Sequence, residues 1–390
     1  MTSMQGKAIS MMIKAVFVVL VAVLIWPVGV CAQTGPSTWP PGCESGELDG
    51  QLILTCLPEN FNGTLIVYAH GYVYPQEELA LPIEEIGPEN LSVIAQLVGS
   101  GFGFATTSYS VNGYAIEEAE ADLIALVEHF KACVASPESV DKVVLVGASE
   151  GGLVTTMMLE KRPDVFDGGL AMCGPISGMP YQLSYIGDFR VVFDYFFPDV
   201  FGFGMSDVEF AEDACDVWES EYLPAVWEAM QSHPLKSLQL FNITGAAFDL
   251  FDVTSFGVTA ETVLKYTVCG ISDLTIKAGG MPYDNRRTWY DASWLLNRKV
   301  ERVSGDEVAL AYVASHYQTT GNLTVPLVTL HNLSDPAVPY RHEEIYKQLV
   351  QQKGCSHNLT VWPVFGYGHC AFKPWQVLGA LGVLLWEVNH

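Results

Sequence analysis

The sequence predicts an α/β protein: a mostly parallel central sheet, helices on both faces, and a helical insertion. Three observations carry the prediction. Strand-like and helix-like stretches alternate from about residue 64 to 173, the pattern in which each helix carries the chain back to start another parallel strand. The alternation is lost from about 174 to 321, where aromatic residues crowd together. It then resumes at 325 and continues to 388.

The elements follow in order. Residues 1–32 read as an export leader: Lys7 and Lys14, an apolar run over 15–26 ended by Pro27, then Val30 and Ala32 before a cut after Ala32. The run is short for a membrane span. Lipidation at Cys31 is the alternative, and the bulky Val30 opposes it. Residues 33–59 are rich in Pro and Gly, with a short strand at 51–56. A buried-type strand over 64–69 runs into His70-Gly71-Tyr72. A helix is expected over 90–98 and a strand over 104–108. In a long helix over 116–135, Ile116, Ala119, Leu123, Leu126, Val127 and Phe130 recur at helical spacing. A β-branched strand over 142–146, a sharp turn, a helix to about 161 and a strand over 170–173 complete the first block. The insertion shows helical pieces at 213–231 and 306–317. The second block reads as strand 325–330, helix 340–352, strand 359–365 and helix 374–388. The expected organisation is therefore leader 1–32, core 33–173 and 322–390, and cap 174–321.

The chain has 390 residues, 49% hydrophobic, with net charge −25. That suffices for one large domain with an insertion. So acidic a surface disfavours nucleic acid and anionic membranes as partners, and it fits an exported protein. Of nine cysteines, Cys31 lies in the leader and leaves an even number, which in an exported chain favours disulfides. Cys43–Cys56 is expected to staple the N-terminal segment and Cys355–Cys370 to close a loop around His369. Cys133, Cys173, Cys215 and Cys269 share the rest. No Cys-x-x-Cys pair exists, so neither a zinc site nor a metal or redox cofactor is expected. Asn62, Asn90, Asn242, Asn322, Asn332 and Asn358 each begin an Asn-x-Ser/Thr sequence, a glycan acceptor in some hosts.

The chemistry centres on Gly147-Ala148-Ser149-Glu150-Gly151-Gly152 between a strand and a helix. This context places a serine hydroxyl at the tip of a sharp turn, above the positive end of a helix. A serine hydroxyl is a poor nucleophile unless a base takes its proton, and that base needs a carboxylate to fix its tautomer. Asp335 and His369 each follow a late strand, in Ser334-Asp335-Pro336 and in Gly368-His369. Ligands of open α/β sheets bind at these carboxyl ends. His331, His342 and His357 are rivals for the base; the first comes too early, the second lies in a helix, and the third precedes the last strand. Two N–H groups should face the reacting carbonyl oxygen: that of Glu150, and that of Tyr72 in the loop after residue 69.

With these residues assembled, the chain resembles the α/β-hydrolase superfamily of serine esterases, lipases and peptidases. The resemblance rests on Tyr68-Ala69-His70-Gly71-Tyr72, the Ser149 turn, Ser334-Asp335-Pro336 with Val338-Pro339, and Gly368-His369, in the order Ser, Asp, His. It covers about 52–388, the cap excepted. It implies the α/β-hydrolase fold, a Ser149–His369–Asp335 triad, an oxyanion hole from Tyr72 and Glu150, an acyl-enzyme and no cofactor. Two departures stand out. Glu150 occupies a position often neutral or aromatic in lipases, and Cys370 directly follows the histidine.

The expected function is a secreted serine hydrolase of carboxylic esters, acting on a small-molecule or oligomeric ester. One alternative is a serine peptidase of the prolyl-oligopeptidase or tripeptidyl type. Fewer than 40 residues precede the first core strand after the leader, too few for a propeller. The other alternative is a non-catalytic binding module on the same fold. Two further features stay open at this point. Arg286 and Arg287 either bind a substrate carboxylate or pair with the acidic surface. The aromatic stretch from Phe189 to Phe203 either lines a pocket or forms the core of the cap.

Overall fold

The computed structural model describes residues 39–86 and 91–390. The leader, its cleavage point and Asn90 lie outside the described residues. The eight strands are β1 (Cys43–Leu48), β2 (Gln51–Cys56), β3 (Thr64–Ala69), β4 (Gly103–Thr107), β5 (Lys142–Ala148), β6 (Gly168–Met172), β7 (Leu327–Ser334) and β8 (Leu359–Tyr367). They form one sheet in the order β1-β2-β4-β3-β5-β6-β7-β8. β1, β2 and β4 pair antiparallel; every pairing from β4 through β3 to β8 is parallel.

Strand residues alternate between two apolar layers because successive side chains point to opposite faces. Leu65, Val67, Val143 and Leu145 pack with α2 (Ile116–His129) and α3 (Glu150–Lys161) through Leu123, Leu126, Leu153 and Met157. Ile66, Val144, Val146, Leu170 and Val328 pack on the other face with α1 (Leu91–Gly99) and α13 (Pro374–Val388) through Ile94, Val98, Leu381 and Leu384. The stretch expected to be one helix over 116–135 is α2 followed by a π-helical turn, Phe130–Val134.

Between β6 and β7 the chain forms α4 (Met179–Phe196), α5 (Val208–Asp216), α6 (Leu223–Ser232), α7 (Pro234–Thr244), α8 (Ser255–Lys265), α9 (Ile271–Ala278), α10 (Trp294–Lys299) and α11 (Glu307–His316). The sequence had signalled only part of these. Their apolar sides belong to the same buried cluster as α2 and α3, so packing overrides their weak individual periodicity. Phe189, Phe193 and Phe201 are buried against Phe241, Trp218 and one another, and the Arg190 guanidinium stacks 3.9 Å from the Phe201 ring. The aromatic stretch is thus the core of the inserted helices. α12 (Arg341–Lys353) links β7 to β8. No described helix is long and apolar enough to cross a membrane.

Three disulfides join described residues: Cys43–Cys56, Cys173–Cys370 and Cys215–Cys269. Cys43 and Cys56 sit opposite each other across β1 and β2. The expected Cys355–Cys370 bridge is absent, and Cys355 is a free thiol. Cys355 lies before β8 and Cys370 after it, and nine extended residues separate strand ends by about 30 Å. Cys173 instead leaves the carboxyl end of β6, on the same edge as Cys370. Asn332 is 1% exposed, which rules it out as a glycan acceptor.

Candidate active site

The turn after β5 is possible only because its neighbours lack side chains. Ser149 takes φ 55° and ψ −120°, a region that costs a non-glycine residue about 1–3 kcal/mol. A Cβ on Gly147 would lie 2.0 Å from the Gly151 carbonyl oxygen, and one on Gly151 would lie 2.0 Å from that of Ala69. The Ser149 N–H donates to the Met172 carbonyl at 2.9 Å, tying the turn to β6.

Ser149, Asp335 and His369 all follow carboxyl ends of strands and come together in one hydrogen-bonded chain. The Ser149 Oγ–H donates to His369 Nε2 at 2.9 Å, and His369 Nδ1–H donates to Asp335 Oδ2 at 2.8 Å. Asp335 is 1% exposed, and its Oδ1 accepts from the Ala337 and Val338 N–H groups, both at 2.9 Å. Such a carboxylate has one orientation left to offer the imidazole.

Behind it stands a group the sequence reading had set aside. His331 is fully buried. Its Nε2 donates to the Val338 carbonyl at 2.9 Å and its Nδ1 to Glu343 Oε1 at 3.3 Å, while Asp335 Oδ2 lies 3.6 Å away. With acceptors at both nitrogens the ring carries both protons. Burial works against that charge, but the hydrogen bond and charge of Glu343, with the charge of Asp335, outweigh it and raise the pKa. The signal in the sequence was a histidine on β7 four residues before the aspartate that follows this strand; its partner on α12 was not legible. His342 is buried between Ser177 Oγ and Gln182 Oε1 and bonds to none of Ser149, Asp335 and His369, and burial lowers its pKa.

Tyr72 and Glu150 flank Ser149 on the remaining sides. A Cβ on Gly71 would come 3.2 Å from the Ser149 Cβ, so glycine there lets the loop after β3 lie against Ser149. The Gly71 N–H is held by the Glu85 carboxylate at 3.0 and 3.1 Å, and His70 stacks on Tyr109 at 3.9 Å. Among the described residues no protein group accepts from the N–H of Tyr72 or of Glu150. The Glu150 carboxyl reaches the loop before α2, where Oε1 accepts from the Ala115 N–H at 3.2 Å. Burial raises its pKa to about 8, against the pull of the Ala115 N–H and Lys277. At neutral pH it is therefore an uncharged acid rather than the carboxylate expected from the sequence.

That proton has a consequence for stability. Unfolded, Glu150 loses it near its ordinary value of 4.5; folded, it keeps it to about 8. Stability should fall by about 1.4 kcal/mol per unit across that window and level off above it. Glu150→Gln lacks this slope. Its melting temperature should match the wild type near pH 4.5 and exceed it increasingly up to pH 8; parallel melting curves would contradict the assignment.

The disulfide Cys173–Cys370 binds the residue after His369 to the end of β6, whose Met172 carbonyl holds the Ser149 N–H. It thus spans both sides of the Ser149–His369 hydrogen bond. A misplacement of about 1 Å at such a pair costs on the order of a hundredfold. The double variant Cys173→Ser/Cys370→Ser should lose about that factor in kcat with KM little changed, and about 2–4 kcal/mol of stability in denaturant melts. Full kcat in the variant would remove the positioning role.

Arg286 is exposed and donates from Nε to Asp284 Oδ2 at 2.7 Å, and Arg287 is exposed as well. The pair belongs to a surface turn.

The model of the prolyl oligopeptidase family matches residues 111–186, the span holding α2, β5, Ser149 and α3. No curated protein matches the chain. Among solved structures, feruloyl esterase B from Aspergillus oryzae is similar over 87% of this chain and 78% of its own, at 15% identity and a TM-score of 0.51. Est1E from Butyrivibrio proteoclasticus is similar over 89% and 98%, at 13% identity and a TM-score of 0.42. The esterase Pf2001 from Pyrococcus furiosus is similar over 92% and 97%, at 14% identity and a TM-score of 0.44. The strand order, the turn at residue 149 and the likeness to the feruloyl esterase agree: the chain has the α/β-hydrolase fold.

Proposed function

We propose that the chain is an exported serine hydrolase that cleaves carboxylic esters through an acyl-enzyme. The observation that carries this reading is the unbroken hydrogen-bonded chain from Ser149 Oγ through His369 to Asp335. Ser149 attacks the ester carbonyl while His369 Nε2 takes its proton. The Tyr72 and Glu150 N–H groups face the oxyanion of the tetrahedral intermediate. His369 then protonates the departing alkoxide, leaving an acyl-Ser149. Water, deprotonated by His369, attacks the acyl carbonyl in the second half, and Ser149 leaves with the proton returned. Asp335 holds Nδ1 protonated throughout. The inserted helices act as a cap: Tyr185 OH and Gln182 Nε2 on α4 donate to the Pro336 and Ala337 carbonyls at 2.7 and 2.8 Å, beside Asp335. Disulfides and the expected leader support export.

The match to the prolyl oligopeptidase family model favours a second reading, hydrolysis of peptide amides by the same residues. A fluorophosphonate probe followed by peptide mapping should label Ser149, and short p-nitrophenyl esters should turn over far faster than aminoacyl p-nitroanilides. The opposite preference would select the peptidase reading, and an unlabelled, inactive protein would leave only a binding module.

A further inference from the structure

Beside Ser149 lies a cleft of about 30 Å³ lined by Tyr72, Tyr114, Glu150, Gln182 and Tyr266, among others. Its volume holds about two water-sized groups, so it receives the first atoms of an acyl group rather than a long chain. The polar atoms around it divide sharply. The Gln182 amide is engaged at both ends, Nε2 donating to the Ala337 carbonyl at 2.8 Å and Oε1 meeting His342 Nε2 at 3.0 Å. Lys277 is engaged by the Tyr114 carbonyl and Glu118, and Asp273 by the Tyr114 N–H. By contrast, the Tyr72 hydroxyl and Glu150 Oε2 are both buried and have no protein hydrogen-bond partner. Glu150 is only 5% exposed. A buried polar atom left unpaired costs about 1–3 kcal/mol. Both atoms are closed to a water-sized group in this structure, so a ligand's polar group meets them only as the cleft widens around it; two such atoms on residues that share the cleft with Ser149 mark where that group belongs.

We propose that this cleft selects esters whose acyl part carries a hydroxyl group close to the carbonyl, received by the Tyr72 hydroxyl and the Glu150 carboxyl. The inference rests on the proposed ester hydrolysis at Ser149. The acyl side is indicated because Tyr72 and Glu150 are the two residues whose N–H groups flank the carbonyl oxygen, so their side chains begin at that end of the substrate. A hydroxyl is indicated by charge. An anionic group would meet Asp273 and Glu118, while Lys277, which pulls the other way on Glu150, is already engaged by Glu118 and the Tyr114 carbonyl. An ammonium group would require Glu150 to ionise where burial opposes it. A hydroxyl both donates and accepts, as a phenol and an uncharged carboxylic acid do.

The test compares kcat/KM for p-nitrophenyl butyrate, its 2-hydroxy and 3-hydroxy analogues, and the 3-amino analogue. One of the hydroxylated esters should be preferred over butyrate by about tenfold or more, since a site built for a polar group rejects the analogue lacking it. Tyr72→Phe, which preserves the ring, and Glu150→Leu should each shrink that ratio to about twofold or less. Glu150→Gln, which retains a donor and an acceptor, should keep it. Equal rates for butyrate and both hydroxylated esters would overturn the proposal, as would preference for the amino ester. Failure of the underlying hydrolysis is distinguishable: no ester would turn over and the fluorophosphonate would leave Ser149 unlabelled.

Discussion

Ser149→Ala is expected to lower kcat on a short p-nitrophenyl ester by about six orders of magnitude, leaving a residual rate from binding and the oxyanion donors alone. The reason is geometric. The Ser149 hydroxyl, the proposed attacking group, lies 2.9 Å from His369 Nε2, and no other described hydroxyl is hydrogen-bonded to His369. The fold should be unaffected. The positive φ at this position comes from the turn, which the Ser149 N–H to Met172 bond and the close Gly147–Gly151 approach maintain without the hydroxyl. A thermal melt within about 2 °C of the wild type, beside lost turnover, is the expected pair of results. Retained turnover would end the assignment of Ser149 as nucleophile.

Asp335→Asn should cost about four orders of magnitude in kcat. Asp335 Oδ1 accepts two backbone N–H groups and Oδ2 accepts His369 Nδ1–H. An asparagine keeps its oxygen toward the two backbone donors, because turning its amide there would set N–H against N–H. Its NH₂ group then faces His369 and demands an acceptor at Nδ1. The proton moves to Nε2, and the imidazole can no longer receive the Ser149 proton. KM should change little, since the carboxylate does not touch substrate. Two readouts check this: a pre-steady-state acylation rate reduced by the same factor as kcat, and unchanged circular dichroism. If Asp335→Asn kept more than about a tenth of the wild-type kcat, His369 would not depend on this carboxylate.

The legible parts of this protein were those governed by local chemistry. Strands β3, β5 and β8 carry β-branched apolar runs, and α13 begins at Pro374 as its sequence signals. Ser149, Asp335 and His369 were named because each sits just past such a strand, and the structure brings their side chains into one hydrogen-bonded chain. The helices from α7 to α10 were not legible. They are short, and they are held by burial of residues such as Phe241, Val263 and Leu274 against neighbours far away in the chain.

Pairing across the sheet was equally beyond the sequence. Cys370 looked close to Cys355 along the chain, yet a nine-residue strand keeps them at opposite edges, while Cys173 arrives from 197 residues away. Glu150 looked like a charge beside the nucleophile. Only the surrounding tyrosines and the seal of the inserted helices make it an uncharged acid. The sequence by itself determined the alternating architecture and the order in which a hydroxyl, a carboxylate and an imidazole reach the strand ends, because backbone periodicity and turn chemistry are local. Tertiary structure decided which cysteines join, how His331 and Glu343 support Asp335, and which protons the buried acids keep, because distance through space and exclusion of water are set only when remote segments pack.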